Sequence, residues 1–184
     1  KAAQELYEGV DVQGQGAIGL ITYMRTDSQR ISEEAMSAAE AFIRGRYGDE
    51  YLPGSRRIYK SKKGAQDGHE AIRPSVPAIT PEEVRSSLTS DQYKLYKLIW
   101  ERFIASQMAN CLLDTVSVDI EAGEYLFKAS GYTVRFAGYT VLYEQGTDEE
   151  EEKSEMLPPL VAWDPLRVDA LAPNQHFTQP PARY

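Results

Sequence analysis

The spacing of apolar residues changes once along the chain, near Cys111, and this change constrains the fold more than any other feature. Before it, apolar residues recur every three to four positions, the period of an amphipathic helix. After it they alternate with polar residues, and two such runs on either side of Gly123 predict a β-hairpin. We therefore expect an α+β, two-domain chain: a mainly helical domain with a short sheet over residues 1–110, and an antiparallel β domain over residues 111–175.

Local signals place the individual elements. Ser32 precedes two glutamates, and Thr80 and Thr89 are each followed three residues later by Glu or Gln, which is typical of helix N-termini. A glycine-rich loop or hairpin is expected at 10–19. Helices are expected at 2–8, 33–47, 81–88 and 90–110. Strands are expected at 20–26, 115–120, 125–130, 132–136, 139–143, 157–160 and 166–171, with weak strand character at 57–59.

The strand expected at 20–26 carries a pattern suited to chemistry. Because alternate residues of a strand share a face, the side chains of Tyr23 and Arg25 should stand side by side. A phenol has a pKa of about 10, so only about one in a thousand is ionised at neutral pH, and a nearby cation favours the ionised form. A guanidinium also binds two phosphate oxygens at once. The pair would suit attack on a phosphodiester, although such a pair is more often an ordinary half-exposed contact.

Several segments resemble one enzyme family. Residues 19–28, GLITYMRTDS, are similar to the active-site signature of the bacterial type IA DNA topoisomerases, in which the tyrosine is the DNA-cleaving nucleophile. Residues 65–74, AQDGHEAIRP, resemble a second motif of that family. Residues 95–108, in the expected long helix, resemble a further sequence of that family. Residues 176–184 resemble the segment that leaves the family's β-rich arch. The chain is therefore identified as a candidate member of this family.

The resemblance implies a set of site residues. Tyr23 is the expected nucleophile, Arg25 the group that stabilises charge on the phosphate, and His69 a group that assists cleavage. Asp27 is expected to orient Arg25 or to cap the following turn. For Arg73 a structural ion pair is an equal alternative to DNA binding. For Lys60 and Lys62 the equal alternative is a solvated charge with no DNA contact. The expected DNA-binding residues are Arg25, Arg73, Lys60, Lys62 and Thr178.

No metal site is expected in this chain. His69 and Glu70 are adjacent, so their side chains should diverge, and no third ligand is suitably spaced. The acidic run 148–152 is expected to be a mobile, solvated loop that binds Mg²⁺ weakly. The resemblance implies that the full enzyme uses Mg²⁺, bound by a Toprim domain that also supplies a glutamate and is absent from this chain.

The family's reaction is the function that the resemblance implies. The full enzyme cleaves one DNA strand through a transient 5′-phosphotyrosine, passes another strand and reseals the break without ATP, relaxing negative supercoils. The implied partners are single-stranded or negatively supercoiled DNA and the remaining domains of the same polypeptide. An alternative is a non-catalytic nucleic-acid-binding or arch module with a structural tyrosine. A third possibility is another tyrosine nucleophile, a recombinase or a rolling-circle nuclease. The two histidines of the chain argue against the nuclease, which uses a histidine metal cluster.

The resemblance also names the two domains. Residues 1–110 correspond to a CAP-like, winged-helix domain, residues 111–175 to the β arch, and residues 176–184 to the start of the connection to an absent domain. We expect the chain to be a fragment cut at both ends from a longer polypeptide. Without the metal-binding domain, the fragment alone is expected to bind DNA weakly and to be inactive.

Charge is distributed unevenly along the chain. Residues 1–110 contain 15 basic and 15 acidic residues, whereas residues 111–184 contain 5 and 13, which accounts for the net charge of −8. DNA is therefore expected to bind the first part. No apolar run approaches the roughly 20 residues of a membrane span, and a single cysteine forbids an internal disulfide. We expect a cytoplasmic, nucleoid-associated protein without a membrane partner.

Overall fold

The secondary structure follows the predicted order, helices first and a long hairpin after them. The structure is a computed structural model that describes residues 1–59, 69–143, 157–175 and 177–178. Within them the elements are α1 (Ala2–Glu8), β1 (Val10–Val12), β2 (Gly16–Ile18), α2 (Glu33–Arg46), α3 (Pro81–Val84), α4 (Ser90–Gln107), β3 (Leu112–Ala122) and β4 (Tyr125–Phe136). Short 3-10 turns lie at Asp49–Tyr51, Arg85–Ser87 and Gly138–Val141. The α+β class is confirmed.

Helix α4 organises the core. Its buried residues include Tyr96, Trp100 and Ile104, which pack with Leu6 of α1 and Ile43 of α2. The polar atoms of its aromatic residues are satisfied within the fold: the Tyr96 hydroxyl donates to the carbonyl oxygen of residue 79 at 2.7 Å, and the Trp100 indole donates to that of residue 77 at 2.9 Å. Burial raises the pKa of Tyr96 above its ordinary value. The aromatic stripe of α4 is therefore core.

The predicted helix starts are confirmed. The Ser32 hydroxyl accepts a bond from the backbone N–H of residue 35, and Thr80 and Thr89 both form complete capping boxes. Helix α4 ends at Gln107, three residues before the predicted end, because Met108 is extended and the N–H of residue 109 donates to the carbonyl of Tyr51. The predicted helix at 81–88 is split into α3 and a 3-10 turn.

Strands β1 and β2 form a short antiparallel hairpin in the glycine-rich segment, with Val10 opposite Ile18. The hairpin returns the chain to α1, where the N–H of Leu20 donates to the carbonyl of Leu6 at 2.7 Å. At Gly19 the chain passes directly against the backbone of α1, since a Cβ atom at this position would be 2.6 Å from the carbonyl oxygen of Tyr7. The absence of a side chain here allows the next residues to lie against α1.

The strand predicted at 20–26 is wrong. In a strand with one buried face, buried and exposed side chains alternate, but Leu20 and Ile21 are consecutive and both buried. Ile21 makes a single isolated bridge, to Pro74. The ladder does not extend further, because the N–H of Leu20 donates to the carbonyl of Leu6 and the N–H of Arg73 donates to the hydroxyl of Thr22. At Tyr23 the backbone turns, because the N–H of Arg25 donates to the carbonyl oxygen of Tyr23 at 2.9 Å.

The β region differs from the prediction in extent. The hairpin is confirmed but longer, and the strand predicted at 132–136 is the end of β4. Residues 139–143 do not continue the sheet, because they form a 3-10 turn that hydrogen-bonds to residue 109. No strand is assigned at 57–59, 157–160 or 166–171. The acidic run 148–152 lies outside the described residues.

The β3–β4 hairpin stands out from the helical part. Its pairs run from Leu112 with Phe136 to Ala122 with Tyr125, and most side chains on both faces are exposed. Its base contacts the helical part through the rings of Tyr51 and Phe136, whose centroids are 4.9 Å apart. No helix in the described residues is long and apolar enough to cross a membrane.

We expect Gly19→Ala to lower the free energy of unfolding by about 1–3 kcal/mol, because the added methyl group would collide with the backbone of α1. Gly45→Ala is the matched control. Gly45 lies in α2, and apart from its chain neighbours and the nearby helix backbone no heavy atom would lie within 4 Å of an added methyl group, so alanine should stabilise the protein by about 0.5–1 kcal/mol. Urea denaturation measures both values, and effects of the same sign would contradict the packing described.

Candidate active site

Two separate segments cross to form the candidate site. The N–H of Thr22 donates to the carbonyl of Arg73 at 2.9 Å, and the N–H of Ser75 donates to the carbonyl of Leu20 at 2.9 Å. These antiparallel bonds bring residues 20–28 alongside residues 69–75, although the two are about fifty positions apart in the sequence. The two motifs singled out in the sequence therefore meet in the structure.

The side chain of Thr22 strengthens this crossing. Its hydroxyl donates to the carbonyl of Ala71 at 2.8 Å and accepts from the N–H of Arg73 at 3.0 Å. One hydroxyl group thus satisfies two backbone groups of the second segment. Thr22 also lines the adjacent cleft, so it fixes the backbone at the point from which Tyr23 projects.

Tyr23 is exposed at the mouth of an open cleft. Its side chain is 54% exposed, and its ring makes edge contacts with the rings of Tyr7 and His69 at centroid distances of 5.3 Å and 6.2 Å. The cleft has a volume of about 390 Å³ and is lined by Tyr7, Thr22, Tyr23, His69 and Glu70. The predicted nucleophile is therefore accessible to a large substrate and lies beside the predicted assisting histidine.

His69 is held in place through its backbone. The Ser28 hydroxyl, which is 7% exposed, donates to the carbonyl oxygen of His69 at 2.7 Å. The N–H of Ala71 donates to the carbonyl of Arg30 at 2.8 Å, which adds a second link between the same segments. The last residue of the first motif thus positions the histidine of the second.

Arg25 and Asp27 form an exposed ion pair. The Nε atom of Arg25 lies 2.8 Å from a carboxylate oxygen of Asp27, and the two side chains are 36% and 41% exposed. The predicted contact between these residues is present. The reason given for placing Arg25 beside Tyr23, a shared strand face, does not hold, because the segment is not a strand.

Arg73 makes the structural ion pair that was one of its two predicted roles. Its Nε atom donates to the Glu70 carboxylate at 2.8 Å, and its Nη1 atom donates to the carbonyl of Pro74 at 2.9 Å. The Arg73 side chain is only 12% exposed. These bonds stiffen the turn that carries His69, and DNA binding by Arg73 stays a prediction.

The other predicted DNA-binding residues are less informative. Lys60 and Lys62 lie outside the described residues, and Thr178 is exposed. Of the same basic segment, Arg56 bonds Glu33 and Glu40 of α2, and Arg57 bonds Asn110. The bond from Arg56 lowers the pKa of Glu40 below its ordinary value. These two arginines therefore bind groups of the same chain.

The described residues do not offer a metal centre. No group of three or more His, Cys, Asp or Glu side chains within ranges 1–59, 69–143, 157–175 and 177–178 could hold an ion. Glu70 is within the cleft, but its carboxylate is bonded to Arg73. The donor set of this cleft does not fit Mg²⁺, which requires several oxygen ligands.

Sequence reasoning missed three residues of the site. Tyr7 falls in the helix expected at 2–8 and was not singled out there, yet it is 40% exposed and contacts Tyr23. Thr22 and Ser28 belong to the first motif, but nothing in their spacing shows that their hydroxyl groups bind the second segment. The glycine at position 19 was the one available signal of close approach to α1.

Comparison with known proteins finds similar sequences and folds. A family model described as DNA topoisomerase matches residues 1–184. The solved structure of full-length topoisomerase I from Thermotoga maritima is similar, with 40% sequence identity and a TM-score of 0.65, over 84% of this chain. The match covers 25% of that protein, so this chain spans about a quarter of its relative's length.

We expect Thr22→Val to lower the free energy of unfolding by about 1–3 kcal/mol, because it leaves two backbone groups of residues 71 and 73 without their partner. Thr22→Ser keeps the hydroxyl and should stay close to wild type. Thr140→Val is a further control, since that hydroxyl bonds within its own turn, to Ala137. Urea denaturation measures all three, and equal losses for the two valine variants would contradict the role of the crossing.

Proposed function

The chain belongs to the type IA DNA topoisomerases, and we propose that it is the part of such an enzyme that carries the nucleophile, Tyr23. The observation that supports this most is the exposed Tyr23 side chain in a cleft shared with His69. A buried tyrosine could not reach a DNA phosphate. In the whole enzyme the substrate is single-stranded DNA or the unwound part of negatively supercoiled DNA.

The proposed reaction is a reversible transesterification. The phenol of Tyr23 gives up its proton and its oxygen attacks a backbone phosphorus atom. The bond from that phosphorus to the 3′-oxygen breaks, and the 3′-oxygen takes up one proton and leaves as a hydroxyl group, so that no proton is consumed overall. The product is a 5′-phosphotyrosine. Because one ester replaces another, the bond energy is kept and the 3′-hydroxyl can reseal the strand without ATP. Passage of a second strand through the break would relax negative supercoils.

Arg25 and His69 are proposed to act on the phosphate. Negative charge builds up on the phosphate oxygens as the phenol adds, and a guanidinium stabilises that charge. Asp27 is proposed to orient Arg25, a role supported by their 2.8 Å contact. His69 can donate a hydrogen bond near the scissile phosphate, since its ring and that of Tyr23 share the cleft.

Mg²⁺ is proposed to bind outside this chain. The family uses the ion, but the described residues do not provide a site for it. We propose that another domain of the same polypeptide holds the ion, and that the chain alone is inactive and binds DNA weakly. No step assigned to Tyr23, Arg25 or His69 is routed through the metal.

The two parts of the chain are proposed to correspond to two domains of the whole enzyme. Residues 1–110 would form the CAP-like, winged-helix domain that carries the nucleophile, and residues 111–175 the β arch. The exposed faces of the long hairpin support the second assignment, because a two-stranded sheet alone is marginally stable and needs a covering partner. Residues 176–184 would begin the connection to the next domain, and the enzyme would act in the cytoplasm on the nucleoid.

We expect Tyr23→Phe to abolish the covalent adduct between the whole enzyme and a single-stranded oligonucleotide in the presence of Mg²⁺, because phenylalanine lacks the attacking oxygen. Adduct is measured by denaturing gel with the oligonucleotide labelled on the 3′ side of the break. The chain of 184 residues alone should form no adduct and relax no supercoils. Persistence of the adduct in Tyr23→Phe would exclude Tyr23 as nucleophile and favour a non-catalytic module with a structural tyrosine.

We expect Arg25→Ala to slow adduct formation in the whole enzyme by about a hundredfold, a typical loss for one charge-stabilising donor. Arg44→Ala is a closely matched control, since Arg44, which lies on α2, also forms an exposed ion pair with an aspartate, Asp49. The rate for Arg44→Ala should equal that of wild type. If the two variants are equally slow, the effect of Arg25 is on stability or overall charge.

A further inference from the structure

Tyr7 lies in the cleft, although the proposed reaction gives it no role. Its side chain is 40% exposed, and its ring centroid lies 5.3 Å from that of Tyr23 at an interplanar angle of 65°. This is an edge contact between aromatic rings, a geometry that is attractive beyond the burial of area. Tyr7 and His69 thus contact the Tyr23 ring from two different segments of the chain.

The position of Tyr7 is fixed by its neighbours in α1. Leu6 is fully buried, and its carbonyl accepts bonds from the N–H groups of Leu20 at 2.7 Å and Ile21 at 3.4 Å. On the preceding residue, the Glu5 carboxylate accepts a bond from Gln92 of α4 at 2.9 Å. The end of α1 is therefore attached both to the core and to the segment that carries Tyr23.

Orientation matters for an exposed nucleophile. A tyrosine that is more than half exposed can adopt several rotamers, and only those that direct the phenolic oxygen toward the substrate are productive. A ring fixed beside it favours some of these rotamers over others. Because Tyr7 is fastened through backbone bonds at Leu6, its ring can provide that bias before DNA binds.

We propose that Tyr7 is a positioning residue for Tyr23, whose ring it holds in the orientation that presents the phenolic oxygen to the cleft. This inference rests on the proposed function, because it assumes that Tyr23 is the nucleophile. The contact is made by the ring, so the hydroxyl group of Tyr7 is not required and phenylalanine should replace tyrosine at this position.

The test measures rate and binding separately in the whole enzyme. The single-turnover rate of adduct formation on a single-stranded oligonucleotide should fall about tenfold in Tyr7→Leu, the effect of losing one favourable aromatic pair, and should be unchanged in Tyr7→Phe. Oligonucleotide affinity is measured in the Tyr23→Phe background, where no adduct can form. There the Kd should be the same with Tyr7 and with Tyr7→Leu, and the melting temperature should also be unchanged.

Tyr125→Leu is the matched control. Tyr125 is an exposed tyrosine at the turn of the β3–β4 hairpin, so its replacement should leave the rate unchanged. A wild-type rate in Tyr7→Leu would overturn the proposal. So would a Kd that rises as much as the rate falls, which indicates a DNA contact, or an equally slow Tyr7→Phe, which indicates a role of the hydroxyl. Adduct formation by Tyr23→Phe would instead refute the proposed function itself.

Discussion

The candidate site depends on a small antiparallel backbone contact between residues 20–22 and residues 73–75. Two backbone bonds and the hydroxyl of Thr22 hold these segments together across about fifty positions of sequence. Together with the bonds of residues 28 and 30 to residues 69 and 71, this contact keeps Tyr23 and His69 on adjacent segments. The contact stops after one bridge because the N–H of Leu20 donates to the carbonyl of Leu6 and the N–H of Arg73 donates to the hydroxyl of Thr22. Beyond it the backbone turns, with the N–H of Arg25 donating to the carbonyl of Tyr23, so the Tyr23 side chain is exposed and not within a sheet.

The helical part of the fold could be predicted from the sequence because its signals are local. Caps at Ser32, Thr80 and Thr89 lie within three residues of the groups they bind, and the stripe of α4 needs only its own spacing. The strand at 20–26 could not be excluded in this way. β-branched residues favour an extended backbone, but whether a ladder forms depends on a partner far along the chain, and here the N–H groups of Leu20 and Arg73 that would extend the ladder bond to other groups.

The two central residues of the candidate site could be predicted, whereas the residues that hold them in place could not. Tyr23 and His69 were found through resemblance to known motifs, and their proximity follows from bonds that no spacing rule reveals. Tyr7 was missed because a residue on the edge of a helix stripe can face the core or the solvent equally well by periodicity. The tight approach of Gly19 to α1, together with the bonds to the Leu6 carbonyl, brings the segment that carries Tyr23 beside Tyr7.

Counting charges in the sequence overstates the positive surface that the helical part can offer to DNA. Arg56 and Arg73 are bonded to carboxylates of the same chain, and Arg73 is nearly buried. Exchanging a buried partner for a phosphate would leave Glu70 as an unpaired, poorly solvated charge, which costs several kcal/mol by order of magnitude. An exposed pair such as that of Arg25 with Asp27 is worth only about 0–1 kcal/mol, so a phosphate can compete for the guanidinium at little cost. The ion pair of Arg25 is therefore easier to exchange for a phosphate than that of Arg73.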